Sequence, residues 1–152
     1  MSIENDINQR KFRNEFQKAS INLIYTYNWA NEQAKQFFEQ HEITPQQFNI
    51  LRILRGAGEP LSTLQIRQRM LDKMSDTSRI VDRLIIKALV KKVVCKSDRR
   101  LVDVTIAEKG LKLLEKMDLH QDELDGIFKN LSEEEASTLN KLLDKVRNSI
   151  DE

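Results

Sequence analysis

From Phe12 to Phe38 apolar and small residues recur at intervals of three and four: Phe12, Phe16, Ala19, Leu23, Tyr27, Ala30, Ala34, then Phe37 or Phe38. That spacing keeps one stripe of a 3.6-residue helix apolar, and it predicts a long amphipathic helix over roughly residues 8–40. At about 1.5 Å per residue such a helix is about 45 Å long, against about 30 Å for the breadth of a small domain. A chain of 152 residues supports one domain with a real core and leaves little for a second. Part of the first helix therefore overhangs what its own chain builds, and its apolar stripe calls for a partner.

The rest of the chain is punctuated by helix starts. Thr44 can cap a helix, Pro45 suits its first turn and Gln47 can reach back to the cap. This helix runs through Phe48, Leu51 and Leu54 and stops at Gly56-Ala57-Gly58, with Pro60 beyond. Ser62 and Gln65 make a second capping box before a short helix ending near Leu71. Residues 72–75 read as a turn, and a further helix begins near Ser75 or Asp76. Its inward residues are expected at Ile80, Leu84, Val81 and Leu89, its outward ones at Arg79, Arg83 and Lys87. Two short helices joined by a tight turn, the second basic outside, are the pattern of a helix-turn-helix.

Leu89 to Cys95 reads as a strand, and Val102, Val104 and Ile106 alternate with polar residues. Together they predict a hairpin turning at Ser97–Arg100, a wing beside the helix pair. After Gly110 the helical pattern returns with Leu111, Leu114, Met117, Leu124 and Phe128. Ser132 and Glu135 form a third box before a last helix with Leu139, Leu142, Leu143, Val146 and Ile150. The expected fold class is mainly α (α+β): a winged helix-turn-helix with long N- and C-terminal helices.

Net charge of +1 conceals a division. Residues 51–100 hold 13 basic and 5 acidic side chains, whereas residues 101–152 hold 7 and 13. A basic middle is the footprint expected for a polyanion. The single cysteine forms no intrachain disulfide, and His41 and His120 stand too far apart in sequence for metal-ligand spacing; no metal or cofactor is expected. Cys95 is read as a buried structural thiol. Glu133-Glu134-Glu135 is accounted for by the third helix start, and no nucleophile-base spacing or glycine-rich phosphate loop stands out, so no enzyme is expected. The polar start and the lack of a long apolar run point to a cytoplasmic protein without a membrane span.

Ser75, Thr77, Ser78, Arg79 and Arg83 occupy the start of the expected recognition helix, where such side chains contact base edges and phosphates. Ser75 and Asp76 also serve as plain helix caps, and a charged helix face is commonly only solvated. At the wing tip, Arg99 and Arg100 suit a narrow minor groove, and Asp98 can hold one guanidinium while the other is left to DNA. Ser62, Thr63, Gln65 and Lys73 are candidate phosphate contacts. The competing function is a winged-helix interaction module whose arginines bind an acidic protein.

The run DKMSDTSRIVDRLIIKALVKKVVCKSDRRLVDVTIAEKG, residues 72–110, resembles the MarR (multiple antibiotic resistance regulator) family of winged-helix transcription regulators, with their DRR wing and helix-opening glycine. The similarity extends over nearly the whole chain. It implies one domain over residues 1–152, with a DNA-binding lobe at 44–107 and a dimerisation lobe from 5–43 and 108–152. It also implies a homodimer on double-stranded DNA, reading a pseudo-palindromic operator as a repressor, with Phe12, Phe16, Leu139, Leu143 and Val146 in the dimer contact. A small amphipathic or phenolic effector is a further implied partner. Tyr25, Tyr27 and Trp29 are the aromatic candidates for its pocket, though at helical spacing they equally serve packing. Two positions depart from the pattern: Ala88 replaces a common glycine, and Ala107 a common capping threonine.

Overall fold

A computed structural model describes residues 2–98, 100 and 102–148. The helices are α1 (Ile3–Asp6), α2 (Glu15–Gln40), α3 (Pro45–Ala57), α4 (Thr63–Arg69), α5 (Thr77–Ile86), α6 (Glu108–Asp118), α7 (Gln121–Asp125) and α8 (Glu133–Arg147), with a 3₁₀ turn at Gly126–Phe128. Strands β1 (Leu61–Ser62), β2 (Val90–Val94) and β3 (Val102–Ile106) form an antiparallel sheet in the order β1-β3-β2. The chain divides into two compact units: residues 37–122, and residues 1–36 with 123–152. Among the described residues no helix is long and apolar enough to cross a membrane.

The 37–122 unit owns nearly all of the core. Ile50, Leu51 and Leu54 of α3, Ile66 of α4, Val81 and Leu84 of α5, Val104 of β3, and Leu114 and Met117 of α6 are buried. In the sheet Val90 stands opposite Ile106 and Val94 opposite Val102, which sets the wing's register. In the other unit Ile3 is the one buried residue among those described, while Phe16, Leu23, Ile24, Tyr27 and Val146 are exposed. Charge follows the same division: residues 37–122 contain 16 basic and 12 acidic side chains, the remainder 9 and 12.

The three capping boxes form as their spacing predicts. Thr44 Oγ1 accepts from Gln47 N–H at 3.1 Å while Gln47 Oε1 accepts from Thr44 N–H at 3.1 Å. The same exchange joins Ser62 to Gln65 and Ser132 to Glu135. Each box satisfies donors that a helix start otherwise leaves unpaired. Gly58 closes α3 at φ 65°, a left-handed conformation that costs glycine little. Ala107 precedes α6 without a side-chain capping bond.

The long helix expected over roughly residues 8–40 is α2, and it is shorter than its periodicity predicts. It begins at Glu15, and Phe12 lies in the connection before it. A polar exchange fixes that start: Asn14 Oδ1 accepts from Gln17 N–H at 2.9 Å, and Gln17 Oε1 accepts from Arg13 N–H at 2.6 Å. Upstream, Asn8 takes φ 53° and turns the chain, and Glu4 of α1 pairs with Lys18 of α2 at 2.5 Å. That pairing holds the Glu4 carboxyl down at about 2, chiefly through the Lys18 hydrogen bond. The apolar stripe thus counted Phe12 into a helix that local side-chain bonding starts three residues later.

Between α5 and β2 the chain reverses through Ala88 at φ 60°. Ala88 N–H bonds Ile85 O at 2.9 Å and Leu89 N–H bonds Leu84 O at 3.0 Å, so the departure from glycine keeps the turn and accepts the strain. Helix α6 then packs its Gly110 against this corner. A Cβ there would stand 2.3 Å from Leu89 O and 2.9 Å from Ile106 Cγ1. Only a residue without a side chain lets α6 approach the wing strand this closely.

Candidate nucleic-acid interface

Helix α5 is started by Asp76, whose Oδ1 accepts from Arg79 N–H at 3.2 Å. Its inward face is Thr77, Val81 and Leu84, all buried, with Ile80 and Ile85 half-buried beside them. The opposite face presents Ser78, Arg79, Asp82, Arg83 and Ile86 to solvent. Two of the expected contact residues are largely covered. Thr77 is only 3% exposed because it begins the i, i+4, i+7 row that packs into the core, so it lines the groove beside Ser78 with little surface of its own. Ser75 is half-buried with its hydroxyl oxygen covered. Lys87 also turns away from the outer face, donating to Glu42 O at 2.5 Å and to Gln47 Oε1 at 3.3 Å.

An open groove of about 450 Å³ runs between the start of α4 and the start of α5, lined by Thr63, Leu64, Arg67, Met74 and residues Ser75 to Ser78. Of the candidate phosphate contacts, Thr63 lines this groove, while Ser62 and Gln65 commit their side chains to the α4 capping box. Lys73 reaches back to the carbonyl of Gln68, bracing the turn between the two helices.

At the wing, Asp98 accepts from Arg100 three times: from its backbone N–H at 3.0 Å, from Nε at 3.1 Å and from an Nη at 3.0 Å. The guanidinium beside it holds the Asp98 carboxyl below the usual aspartate range. The side chain of Arg100 stays 89% exposed, so the bridge orients the fork without covering it. Asp98 thus holds Arg100, as the sequence allowed for one of the two tip arginines; Arg99 lies outside the described residues.

Cys95 corrects another expectation. It stands past the end of β2 in the wing turn and is half-buried, not enclosed in a strand. Ser97 Oγ lies 3.0 Å from its Sγ, and that contact, with the N–H groups of Asp98 and Ser97, lowers its pKa from the ordinary thiol value.

The expected dimer and pocket residues lie in the other unit. Phe16 is 84% exposed and Val146 75%, Leu139 is also exposed, and Phe12 and Leu143 are half-buried. Tyr25, Tyr27 and Trp29 sit on α2 and are all exposed. Asp82 and Lys92, two residues the sequence did not single out, bridge the recognition helix to the wing at 3.2 Å. The available signal was the row Arg79, Asp82, Arg83 and Ile86 at helical spacing opposite the buried row.

A helix pair, an exposed basic second helix and an adjoining hairpin with an arginine tip together define a winged helix-turn-helix protein. No family model matches the chain. It is 30% identical over 131 residues to the HTH-type transcriptional regulator MhqR of Bacillus subtilis, covering 85% of this chain and 89% of that one. The chain therefore belongs to the MarR family of transcriptional regulators. Two solved structures share the fold with a TM-score of 0.80 each: a MarR mutant from E. coli complexed with operator DNA (23% identity, 91% of this chain and 100% of that one) and Bordetella bronchiseptica BpsR (22%, 92% and 99%).

Proposed function

We propose that the protein is a homodimeric repressor that binds a pseudo-palindromic DNA operator in the cytoplasm and releases it on binding a small amphipathic effector, without catalysing a reaction. In this reading the lobes expected at 44–107 and at 5–43 with 108–152 correspond to the two compact units: residues 37–122, including α6 with its buried Leu114 and Met117, bind DNA, and residues 1–36 with 123–152 pair with a second copy. One observation carries it: a unit with its own core and a basic outer face is joined to a unit that buries only Ile3 among its described residues. A segment so poor in core that still exposes Phe16, Leu23, Ile24 and Val146 gains its hydrophobic stabilisation from a second chain, and a two-fold interface buries the same patch twice.

Ser78, Arg79 and Arg83 then meet base edges and phosphates in the major groove, and the wing arginines Arg99 and Arg100 meet the adjacent minor groove. Two copies place these elements about one helical turn apart on the duplex. The solved relatives support the partners: one was crystallised on operator DNA, and the other's DNA binding is regulated by 6-hydroxynicotinic acid. For the effector, Tyr25, Tyr27 and Trp29 are the aromatic candidates.

Selection of bound fragments from genomic DNA, with an Arg99→Ala, Arg100→Ala double variant in parallel, tests this reading. Enrichment of a two-fold symmetric site that the variant loses is the expected result. A protein shown by sedimentation to be monomeric at micromolar concentration, or a dimer that enriches no sequence, defeats it, the latter in favour of an acidic protein partner.

A further inference from the structure

Asp82 is an acidic side chain in the middle of the face that Arg79 and Arg83 present to solvent. A carboxylate there opposes the phosphates of a polyanion, so it weakens non-specific attraction. Folding does not account for it. The helix start is capped by Asp76, and the bridge from Asp82 to Lys92 joins side chains 61% and 54% exposed, where ion pairs contribute little to stability. What the bridge does is steer: Lys92 comes from β2, a different element, and fixes Asp82 Oδ1 at 3.2 Å while offsetting part of its charge.

An ionised carboxylate only accepts hydrogen bonds. In the major groove the donors are the N4 amine of cytosine and the N6 amine of adenine, and adenine sets its N7 acceptor beside that amine. The second carboxylate oxygen is repelled by N7 and meets no such acceptor on cytosine. Guanine offers two acceptors there, and thymine an acceptor and a methyl group. We infer that Asp82, held by Lys92, reads a cytosine amino group and is a determinant of operator sequence in this protein. The inference rests on the DNA-binding reading above and adds a base preference to it.

The test compares the full-length parent with Asp82→Ala and Asp82→Asn, each first shown by urea unfolding to be folded. All are measured against the selected site and every single-base change in its half-site. The parent prefers cytosine by at least about fivefold at one position per half-site. In Asp82→Ala that preference falls below about twofold with the other positions kept. In Asp82→Asn it passes to adenine, because an amide pairs with N6 and N7 together. A residue that served only to position the helix would change affinity for all sequences alike, without exchanging one base for another. A half-site without such a cytosine, cytosine preference surviving either substitution, an asparagine variant that does not turn to adenine, or an equal loss at every position each overturns the inference and leaves DNA binding standing. A parent that enriches no sequence removes the DNA-binding reading itself, and the inference with it.

Discussion

Replacing Gly110 by alanine separates local from tertiary reasoning by the sign of one number. Helix propensity alone favours alanine, by at most about 1 kcal/mol since Gly110 lies in the first turn of α6. The fold opposes it. The new Cβ would meet Leu89 O at 2.3 Å, where an ordinary contact needs about 1 Å more, and Ile106 Cγ1 at 2.9 Å. Leu89 cannot easily withdraw: its carbonyl accepts from Ala107 N–H at 2.9 Å, its N–H donates to Leu84 O at 3.0 Å, and its side chain is buried. Overpacking of this kind costs about 1–3 kcal/mol, and a strained or lost backbone hydrogen bond adds about 1. Set against the propensity gain, the net effect is destabilisation by about 2 kcal/mol. Urea unfolding at matched protomer concentration measures it, the matching being required because association contributes to apparent stability. With a slope of about 2 kcal/mol per molar, the midpoint falls by about 1 M. An unchanged or raised midpoint would refute the close approach of α6 to the wing strand.

Ala88→Gly should act in the opposite direction: it relieves a left-handed alanine worth about 1–2 kcal/mol and gives back about 0.4–1 in unfolded-state entropy, for a net gain of about 0.5–1 kcal/mol by the same urea assay. Cys95 should be alkylated at pH 7 at least as fast as the same thiol in the urea-unfolded chain, and more slowly in Ser97→Ala, because Ser97 favours the thiolate; protection from reagent in the folded parent would contradict this. Glu4 has its folded pKa depressed to about 2 by Lys18, so its pairing stabilises the fold above the unfolded value near 4.3 and that contribution is lost as pH falls towards 2. The stability difference between the parent and Glu4→Gln should accordingly close across that window, and a difference independent of pH between 5 and 2 would show that the Glu4–Lys18 pair is not formed.

What could be read from sequence was local or strictly periodic. The three capping boxes depend on side chains reaching backbone groups three residues away, and the wing on alternation with period two, so both survive without knowledge of any neighbour. The same locality explains the error at the first helix. The apolar stripe includes Phe12, but the Arg13, Asn14 and Gln17 side-chain exchange decides where the helix starts. Thr77 shows the limit on a functional residue, since a threonine at the head of a basic helix suits either a base edge or a core. Only packing against other elements turned it inward and left Asp82 outside.

The sequence by itself determined the order of elements, the winged helix-turn-helix and the basic middle of the chain, because helix starts, alternation and charge are encoded within a few residues of one another. Tertiary structure alone decided that Asp98 holds Arg100, that Gly110 must lack a side chain, and that Lys92 of the wing meets Asp82 of the recognition helix. Gly110 meets Leu89 across 21 positions and Lys92 meets Asp82 across a chain reversal, and the wing-tip pairing depends on how its turn is wound. Such approaches are set by how elements pack, and no pattern of single residues along the chain contains those distances.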